Sequence, residues 1–411
     1  MAKITIIDGY SLLFRAYYAT AYPGVEIMRS QDGTPTNAIF AFSNMINKIL
    51  SNVKEGESFF VAFDTKGETF RKEAMESYKA NRKPVPEDLI IQFPIVREFV
   101  NALNIYNFEK EGFEGDDIAG TVAKLAEKSG YEVIIYTSDR DYLQLVSDNI
   151  TVNIIRKGLS DVVPMTPQLV FDTYGFKPLQ IIDYKGLRGD SSDNLPGIPG
   201  IGEKTAVKLI QEYDSFDNIV AHSEQIGGKV GQMLNEHQDI GRLSRDLAII
   251  KTDIELPFSI QDTEYKGYQF DTINAFCQKY GLKQFINKVN QKWKLSSENS
   301  LDLKVKEIDS FASVKFLDKV GIALDYSGDY FYDSILGIAI NNGNDNYYID
   351  IDNAKKDTSL LEMLNNSEVK KYCYDYKAIK IALHRLKINI CGLKSDLLLA
   401  GYLLDSSLKD D

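Results

Sequence analysis

The chain has 411 residues, 44% of them hydrophobic and 26% charged, a soluble globular composition too long for one compact core, so two or three domains are expected. No apolar run approaches the roughly 20 residues that span a bilayer, and M-A-K-I-T-I-I-D reads as a first strand, not a signal peptide. A net charge of −12 argues globally against a nucleic-acid partner, although a local basic surface suffices. Three scattered cysteines without CxxC spacing speak for a reducing, cytoplasmic setting and against a zinc site or disulfide frame. Three distant histidines speak against a Ser-His-Asp triad or a zinc-hydrolase motif, so any chemistry here rests on carboxylates.

In chain order, K-I-T-I-I-D (3–8), F-F-V-A-F-D (59–64) and E-V-I-I-Y-T-S-D (132–139) are apolar runs of the kind buried in a parallel sheet. Amphipathic stretches around 36–52, 87–103 and 116–129 alternate with them and predict an α/β fold with helices on both sheet faces. Each strand ends in an aspartate: Asp8, Asp64 and Asp139, with Asp141 two residues beyond. In open α/β sheets, ligands bind outside the carboxyl ends of the strands. The stretch G-F-E-G-D-D-I-A-G (112–120) adds Glu114, Asp116 and Asp117 at the start of the helix that precedes the third strand. Alone, those three complement a helix dipole. Seven acids converging on one edge repel one another unless cations sit among them, and an all-oxygen set suits Mg²⁺ or Mn²⁺.

The segment K-G-E-T-F-R-K-E-A-M-E-S-Y-K-A-N-R-K-P (66–84) carries six basic residues against three acids. Lys79, Arg82 and Lys83 occupy adjacent helical positions with Tyr78, and the segment follows the strand that delivers Asp64, so it is expected to overhang the acids as an arch for a threaded strand. Further on, Y-K-G-L-R-G-D-S-S-D-N-L-P-G-I-P-G-I-G-E-K-T-A (184–206) resembles a phosphate loop, but Glu203 breaks the G-K-[ST] spacing and no strand precedes it. Gly200 and Gly202 instead form a turn whose N–H groups open a helix from Glu203, with Lys204 and Lys208 one turn apart. A helix-hairpin-helix of this type grips a DNA backbone without reading bases. Asp190 and Asp193 add two carboxylates.

Together these motifs resemble the 5′ nuclease (flap endonuclease) domain at the N-terminus of bacterial DNA polymerases I. I-D-G-Y-S-L-L-F-R-A-Y-Y-A, V-A-F-D, F-R-K-E-A-M-E-S-Y-K-A-N-R, F-E-G-D-D, T-S-D-R-D-Y-L-Q-L and G-D-S-S-D-N-L-P-G-I-P-G-I-G-E-K-T-A occur in the family's order over about residues 1–290. Tyr10 stands where many members carry His, outside their ligand set. The resemblance implies a PIN-like fold and a metal-dependent phosphodiesterase that removes 5′ ends, flaps and RNA primers. It implies Asp8, Asp64, Glu114, Asp116, Asp117, Asp139, Asp141, Asp190 and Asp193 as ligands of two or more ions. It also implies Lys79 and Arg82 as catalytic cations, and a K⁺ at the hairpin. Arg15, Arg71, Lys72, Tyr78, Lys83, Gly197, Gly200, Gly202, Lys204, Thr205 and Lys208 are the expected DNA contacts, with Thr36-Asn37-Ala38 helping Arg15 to position DNA ends. The expected partner is DNA with a 5′ flap, nick or RNA primer, bound by a monomer in the bacterial cytoplasm near the nucleoid, away from membranes.

The expected domains are a catalytic α/β domain at 1–175 with the arch at 66–84, the helix-hairpin-helix subdomain at 176–290, and a linker at 291–307. Residues 308–411 resemble the start of a proofreading-type, ribonuclease-H-like domain, read as truncated and without a polymerase domain after it. Its runs 320–326, 335–341 and 346–351 read as consecutive antiparallel strands, followed by helical patterns to Leu404. Active members resemble one another in an Asp-x-Glu pair, whereas here Asp325 is followed by Ser327. Asp375 survives, Lys371 replaces an Asn, and Asp396 is an N-cap or a relic ligand, so no 3′→5′ exonuclease activity is expected. Two rival readings are a non-catalytic DNA-binding fragment and a related ribonuclease. The complete ligand set opposes the first, and the arch and hairpin oppose the second.

Overall fold

Strand alternation decides the first sheet. In β2 (Ser58–Ala62), Phe59 and Val61 point into one core while Phe60 and Ala62 point into the other. Both faces are therefore covered, and every residue of β2 is buried. The computed structural model describes residues 2–22, 24, 26–156, 161–289, 291–295 and 304–404, in two units that divide at 297/298.

In the first unit, β1 (Lys3–Asp8) lies at the centre of a six-stranded sheet with β3 (Tyr106–Phe108), β4 (Glu132–Thr137), β5 (Ile150–Ile155) and β6 (Val162–Met165). The order is β3-β2-β1-β4-β5-β6, parallel except for β6. The chain grows outward from β1 to β3 on one side and then from β4 to β6 on the other. The switch point thus falls between β1 and β4, where such sheets open a crevice. Asp8 closes β1, while Asp64 and Asp139 follow β2 and β4 by two residues. The helices Gly9–Tyr18, Asn37–Leu50, Gln92–Ala102 and Gly115–Lys128 cover the sheet. Strands β3, β5 and β6 were not anticipated: β3 is only half-buried and three residues long, too short for a periodicity to show.

After β6, helices Ile181–Arg188, Glu203–Tyr213 and Gly228–Ala248 build the hairpin region. Two expectations need correction. The segment 66–84 is not a helical arch, because only Phe70–Ala74 is helical and Lys79 has φ +56°, a left-handed conformation that ends any helix. Nor is 291–307 wholly a linker. Lys294–Leu295 forms strand β8 against β7 (Tyr268–Gln269), and Trp293 is buried with its indole N–H donating to Leu50 O at 3.2 Å. Val305–Glu307 is strand β9 of the second unit, while 296–303 lie outside the described residues.

The second unit has the order β14-β13-β10-β11-β12-β9, with β10 (Lys319–Tyr326), β11 (Ile335–Asn341), β12 (Asn346–Asp350), β13 (Lys370–Cys373) and β14 (Leu393–Asp396). Strands β10, β11 and β12 pair antiparallel as the sequence suggests. The tail also holds β13 and β14, which pair parallel and were read as helical.

Candidate metal and nucleic-acid site

Where the first sheet reverses its order, a cleft of about 980 Å³ is lined by Asp8, Asp64, Glu114, Asp116, Asp139, Asp141 and Asp190. Each acid is held by local backbone chemistry. Asp8 caps the helix Gly9–Tyr18 by accepting from Ser11 N–H at 3.2 Å, and it also accepts from Thr137 Oγ1 at 2.8 Å. Asp64 accepts from Gly115 N–H at 2.8 Å, which ties the strand end of β2 to the helix that carries Glu114 and Asp116. Asp139 accepts from Asp141 N–H at 2.9 Å and so starts the short helical turn Arg140–Leu145. One oxygen from each of Asp141, Asp190 and Asp193 lies within 4.8 Å of the others, a spacing that suits one cation.

Four cations enter this acidic field, one of them Arg71, 3.6 Å from Glu114 and 3.9 Å from Asp116. Lys79 Nζ lies 2.6 Å from Glu114, and Arg82 Nη2 lies 2.6 Å from Asp193. Lys185, 7% exposed, sits between Asp141 and Asp190, 2.5 Å from the latter. The loop bearing Lys79 and Arg82 is stitched to the loop 190–195: Lys79 N–H donates to Asp193 O at 2.9 Å and Asn194 Nδ2 to Ser77 O at 2.7 Å. The expected overhang is thus replaced by a loop that lies directly on the acids.

Electrostatics follow from burial. Asp8 is pushed up to about 7 by burial, then by the Asp64 carboxylate, against the Thr137 hydrogen bond. Asp141 is also pushed up to about 7, by burial and Asp139, in spite of Lys185. Burial raises Asp116 too, and the Arg71 guanidinium offsets that only in part. Asp190 goes the other way: burial opposes its ionisation, yet Lys185 and the Ser192 hydrogen bonds hold it down to about 2. Protons therefore compete with cations at Asp8, Asp116 and Asp141. The set fits a hard divalent ion on two counts. It is all oxygen, and Asp116 Oδ1 and Tyr142 Oη are buried beside it without a hydrogen-bond partner among the described residues.

Three sequence-based assignments fail here. Asp117 is not in the cleft. It is fully buried, with both oxygens 2.7 Å from Arg71 Nη1 and Nη2, and it also accepts from Lys251 N–H at 2.8 Å and Glu114 N–H at 3.1 Å. Its lone pairs are spent on structure. Arg71, 1% exposed, is correspondingly no DNA contact; its Nε donates to Leu247 O at 2.9 Å. Tyr78 packs against Leu195, Leu247 and Ala248, where no base can stack on it.

Arg15 lines the cleft with Lys79 and Arg82, and Lys83 is exposed. Lys72 is half-buried and donates to Glu76 O. On the hairpin, Lys204 and Lys208 are exposed and Thr205 is half-buried. Gly202 caps the helix Glu203–Tyr213 without a side chain, and a Cβ at Gly200 or Gly202 would meet nothing within 4 Å, so a phosphate oxygen could approach the backbone there. Gly197 has φ +62° and packs so closely that a Cβ would lie 2.1 Å from Gly189 N. Thr36 and Asn37 are buried, with Asn37 bonded to Thr20 and Gln92. Sequence reading missed Lys185, Arg140, Arg188 and Tyr142. The first three carry charge beside the acids in the motifs Y-K-G-L-R-G-D and S-D-R-D, which was the available signal.

In the second unit, Asp325 accepts from Tyr348 Oη at 3.0 Å. Lys371 is fully buried and donates to Asn366 O. Asp396 accepts from Asp375 N–H, Tyr376 N–H and Leu398 N–H at 3.1, 2.9 and 3.0 Å, a bracing and capping role.

An open α/β sheet with a carboxylate-lined switch point, followed by a helical hairpin, defines the class. Family models agree. The 5′-3′ exonuclease N-terminal resolvase-like domain matches residues 3–194, the 5′-3′ exonuclease C-terminal SAM fold matches 176–271, and the DNA polymerase I ribonuclease H-like domain matches 325–411. Residues 3–271 thus carry the two domains of a 5′-3′ exonuclease, and residues 325–411 a ribonuclease H-like domain of the DNA polymerase I type. DNA polymerase I of Bacillus caldotenax is 36% identical over 98% of this chain and 46% of that protein. DNA polymerase I of Bacillus subtilis is also 36% identical, with the same coverage of 98% and 46%. This chain therefore spans about half the length of those relatives. Among solved structures, the T5 D15 protein co-crystallised with metal ions is 21% identical, with a TM-score of 0.47 over 70% of this chain and 98% of that one. Among the described residues, no helix is long and apolar enough to cross a membrane.

Proposed function

We propose that the first unit is a divalent-metal-dependent 5′ nuclease that hydrolyses phosphodiester bonds near 5′ ends and flaps of DNA, including RNA primers. The observation that carries this reading is the cleft at the β1/β4 switch point, where seven carboxylates face one another. Asp8, Asp64, Glu114, Asp116 and Asp139 would hold one ion, and Asp141, Asp190 and Asp193 a second. Mg²⁺ or Mn²⁺ bound there would supply a water of lowered pKa and Lewis-acid stabilisation of the leaving oxygen.

The chain's own groups do the rest. Lys79 and Arg82, already at the cleft, exchange their carboxylate partners for the scissile phosphate and neutralise charge that grows in the transition state. Arg15, Arg140 and Arg188 line the approach and draw the backbone in. The helix N-terminus after Gly202, with Lys204 and Lys208, holds the duplex away from the acids, where a K⁺ would screen phosphate against backbone carbonyls. The test is a panel of end-labelled substrates in Mg²⁺: 5′ flap, nick, 5′ RNA primer and closed circle. Cutting confined to substrates with a 5′ end supports the proposal. Equal cutting of the closed circle contradicts it.

A further inference from the structure

Tyr142 is an odd occupant of its place. The short turn Arg140–Leu145 leaves Asp139 and Asp141 at the cleft while Tyr142 points inward, 0% exposed, among the residues packed under the sheet edge. Its backbone cannot drift, because Gln144 clamps the turn: Nε2 donates to Asp141 O and Ala248 O, both at 3.0 Å, and Oε1 accepts from Ile250 N–H at 2.9 Å. A phenylalanine would fill this volume. The tyrosine adds only a hydroxyl, and that hydroxyl is buried with no hydrogen-bond partner among the described residues, an arrangement that costs stability unless something else satisfies it. Burial raises its pKa, and the fields of the Asp8, Asp116, Asp139 and Asp64 carboxylates add to that. Asp116 Oδ1, at the cleft, is likewise buried without a hydrogen bond among the described residues, its nearest cation being Arg71 Nη1 at 3.9 Å. One orphan is a donor and the other an acceptor. A water that bridges them would satisfy both, since buried waters sit where two or more polar groups converge.

We propose that Tyr142 is a positioning residue of the metal cleft: its hydroxyl donates to a water held against Asp116 Oδ1 and thereby fixes that carboxylate for a divalent ion. The inference rests on the nuclease reading of the cleft but concerns ion binding and not turnover. Groups that orient ligands from behind typically change metal affinity by 10–100-fold when removed.

The test is Tyr142→Phe in the full chain, with Mg²⁺ alone as the probe in titration calorimetry. Removing an unpartnered hydroxyl should leave the melting temperature in EDTA unchanged or raised, while Mg²⁺ binding weakens about tenfold. In an Asp116→Asn background, Tyr142→Phe should have no further effect on the residual Mg²⁺ affinity. Wild-type Mg²⁺ affinity in Tyr142→Phe would overturn the proposal. So would a lower melting temperature with unchanged affinity, which marks a purely structural tyrosine. Should the variant fold poorly, 3-fluorotyrosine placed at position 142 reports directly. Its fluorine resonance should shift and saturate with Mg²⁺, and a resonance that stays fixed contradicts the proposal. Flap cleavage is read separately: if Tyr142→Phe cleaves and binds Mg²⁺ normally, only this inference falls. If the unaltered chain binds Mg²⁺ but never cleaves, the nuclease reading falls and this one stands.

Discussion

Replacing Asp117 with Asn should destabilise the protein rather than disarm it, which separates this residue from its neighbour Asp116. Arg71 is 1% exposed, and both its terminal nitrogens rest on the Asp117 carboxylate at 2.7 Å. Removing one member of a buried pair leaves a poorly compensated charge, since Glu114 and Asp116 face Arg71 Nη1 only at 3.6 and 3.9 Å, a loss of up to about 3–5 kcal/mol. Against a typical total of about 5–15 kcal/mol this is a large fraction, equivalent to a fall of roughly 6–20 °C in melting temperature. Asp117→Asn also gives up an acceptor for Lys251 N–H or Glu114 N–H. Asp116→Asn should behave oppositely in EDTA, since it neutralises a buried carboxylate that repels its neighbours and leaves the melting temperature level or higher. Thermal unfolding of both variants in EDTA, followed by Mg²⁺ titration at a temperature where each is folded, decides the matter. An Asp117→Asn variant with wild-type stability and no Mg²⁺ binding would refute the argument and return Asp117 to the ligand set.

Asp139→Ala should abolish cleavage while flap-DNA affinity stays within about tenfold by gel shift, because metal ligands act mainly on the chemical step; near-normal turnover would remove it from the site. Lys79→Ala should lower the single-turnover rate more than it weakens binding, since its charge matters most in the transition state; a loss confined to affinity would make it a strand-capture residue. Asp8 and Asp141, at about 7 in the folded protein and near 3.8 unfolded, bind more protons folded than unfolded between those values. In EDTA, their contribution to stability should therefore fall as pH rises from about 4 to 7, and saturating Mg²⁺ should abolish that trend; a urea-unfolding series that shows the same slope with and without Mg²⁺ would contradict it. The second unit should show no 3′→5′ exonuclease activity, because Ser327 cannot serve as a second carboxylate beside Asp325. The Asp139→Ala chain, incubated with Mg²⁺ and 5′-labelled single strands, should leave their 3′ ends intact.

The sheet edge was legible because continuous apolar runs in 3–8, 59–64 and 132–139 end in aspartates, and parallel strands carry such runs when both faces are buried. What stayed hidden was direction. Glu114, Asp116 and Asp117 are indistinguishable as a string, yet on a helix of 3.6 residues per turn Asp117 points away from Asp116 and toward Arg71, a partner 46 residues earlier. The segment 66–84 misled for a related reason. Its spacing suits a helix, but tertiary ion pairs to Glu114 and Asp193 outweigh that propensity and draw Lys79 into a left-handed turn. Burial of Lys185 was equally unreadable, since a lysine in sequence is by default a solvated one. In the second unit, β13 is too short to announce itself, and it exists by pairing with β10, some 50 residues earlier.

The most direct test of the account is cleavage of a 5′-labelled flap duplex by the unaltered chain and by Asp116→Ala, each in Mg²⁺ and in EDTA. The account predicts a short labelled product only from the unaltered chain in Mg²⁺. Product of equal yield in EDTA, or from Asp116→Ala in Mg²⁺, would contradict it.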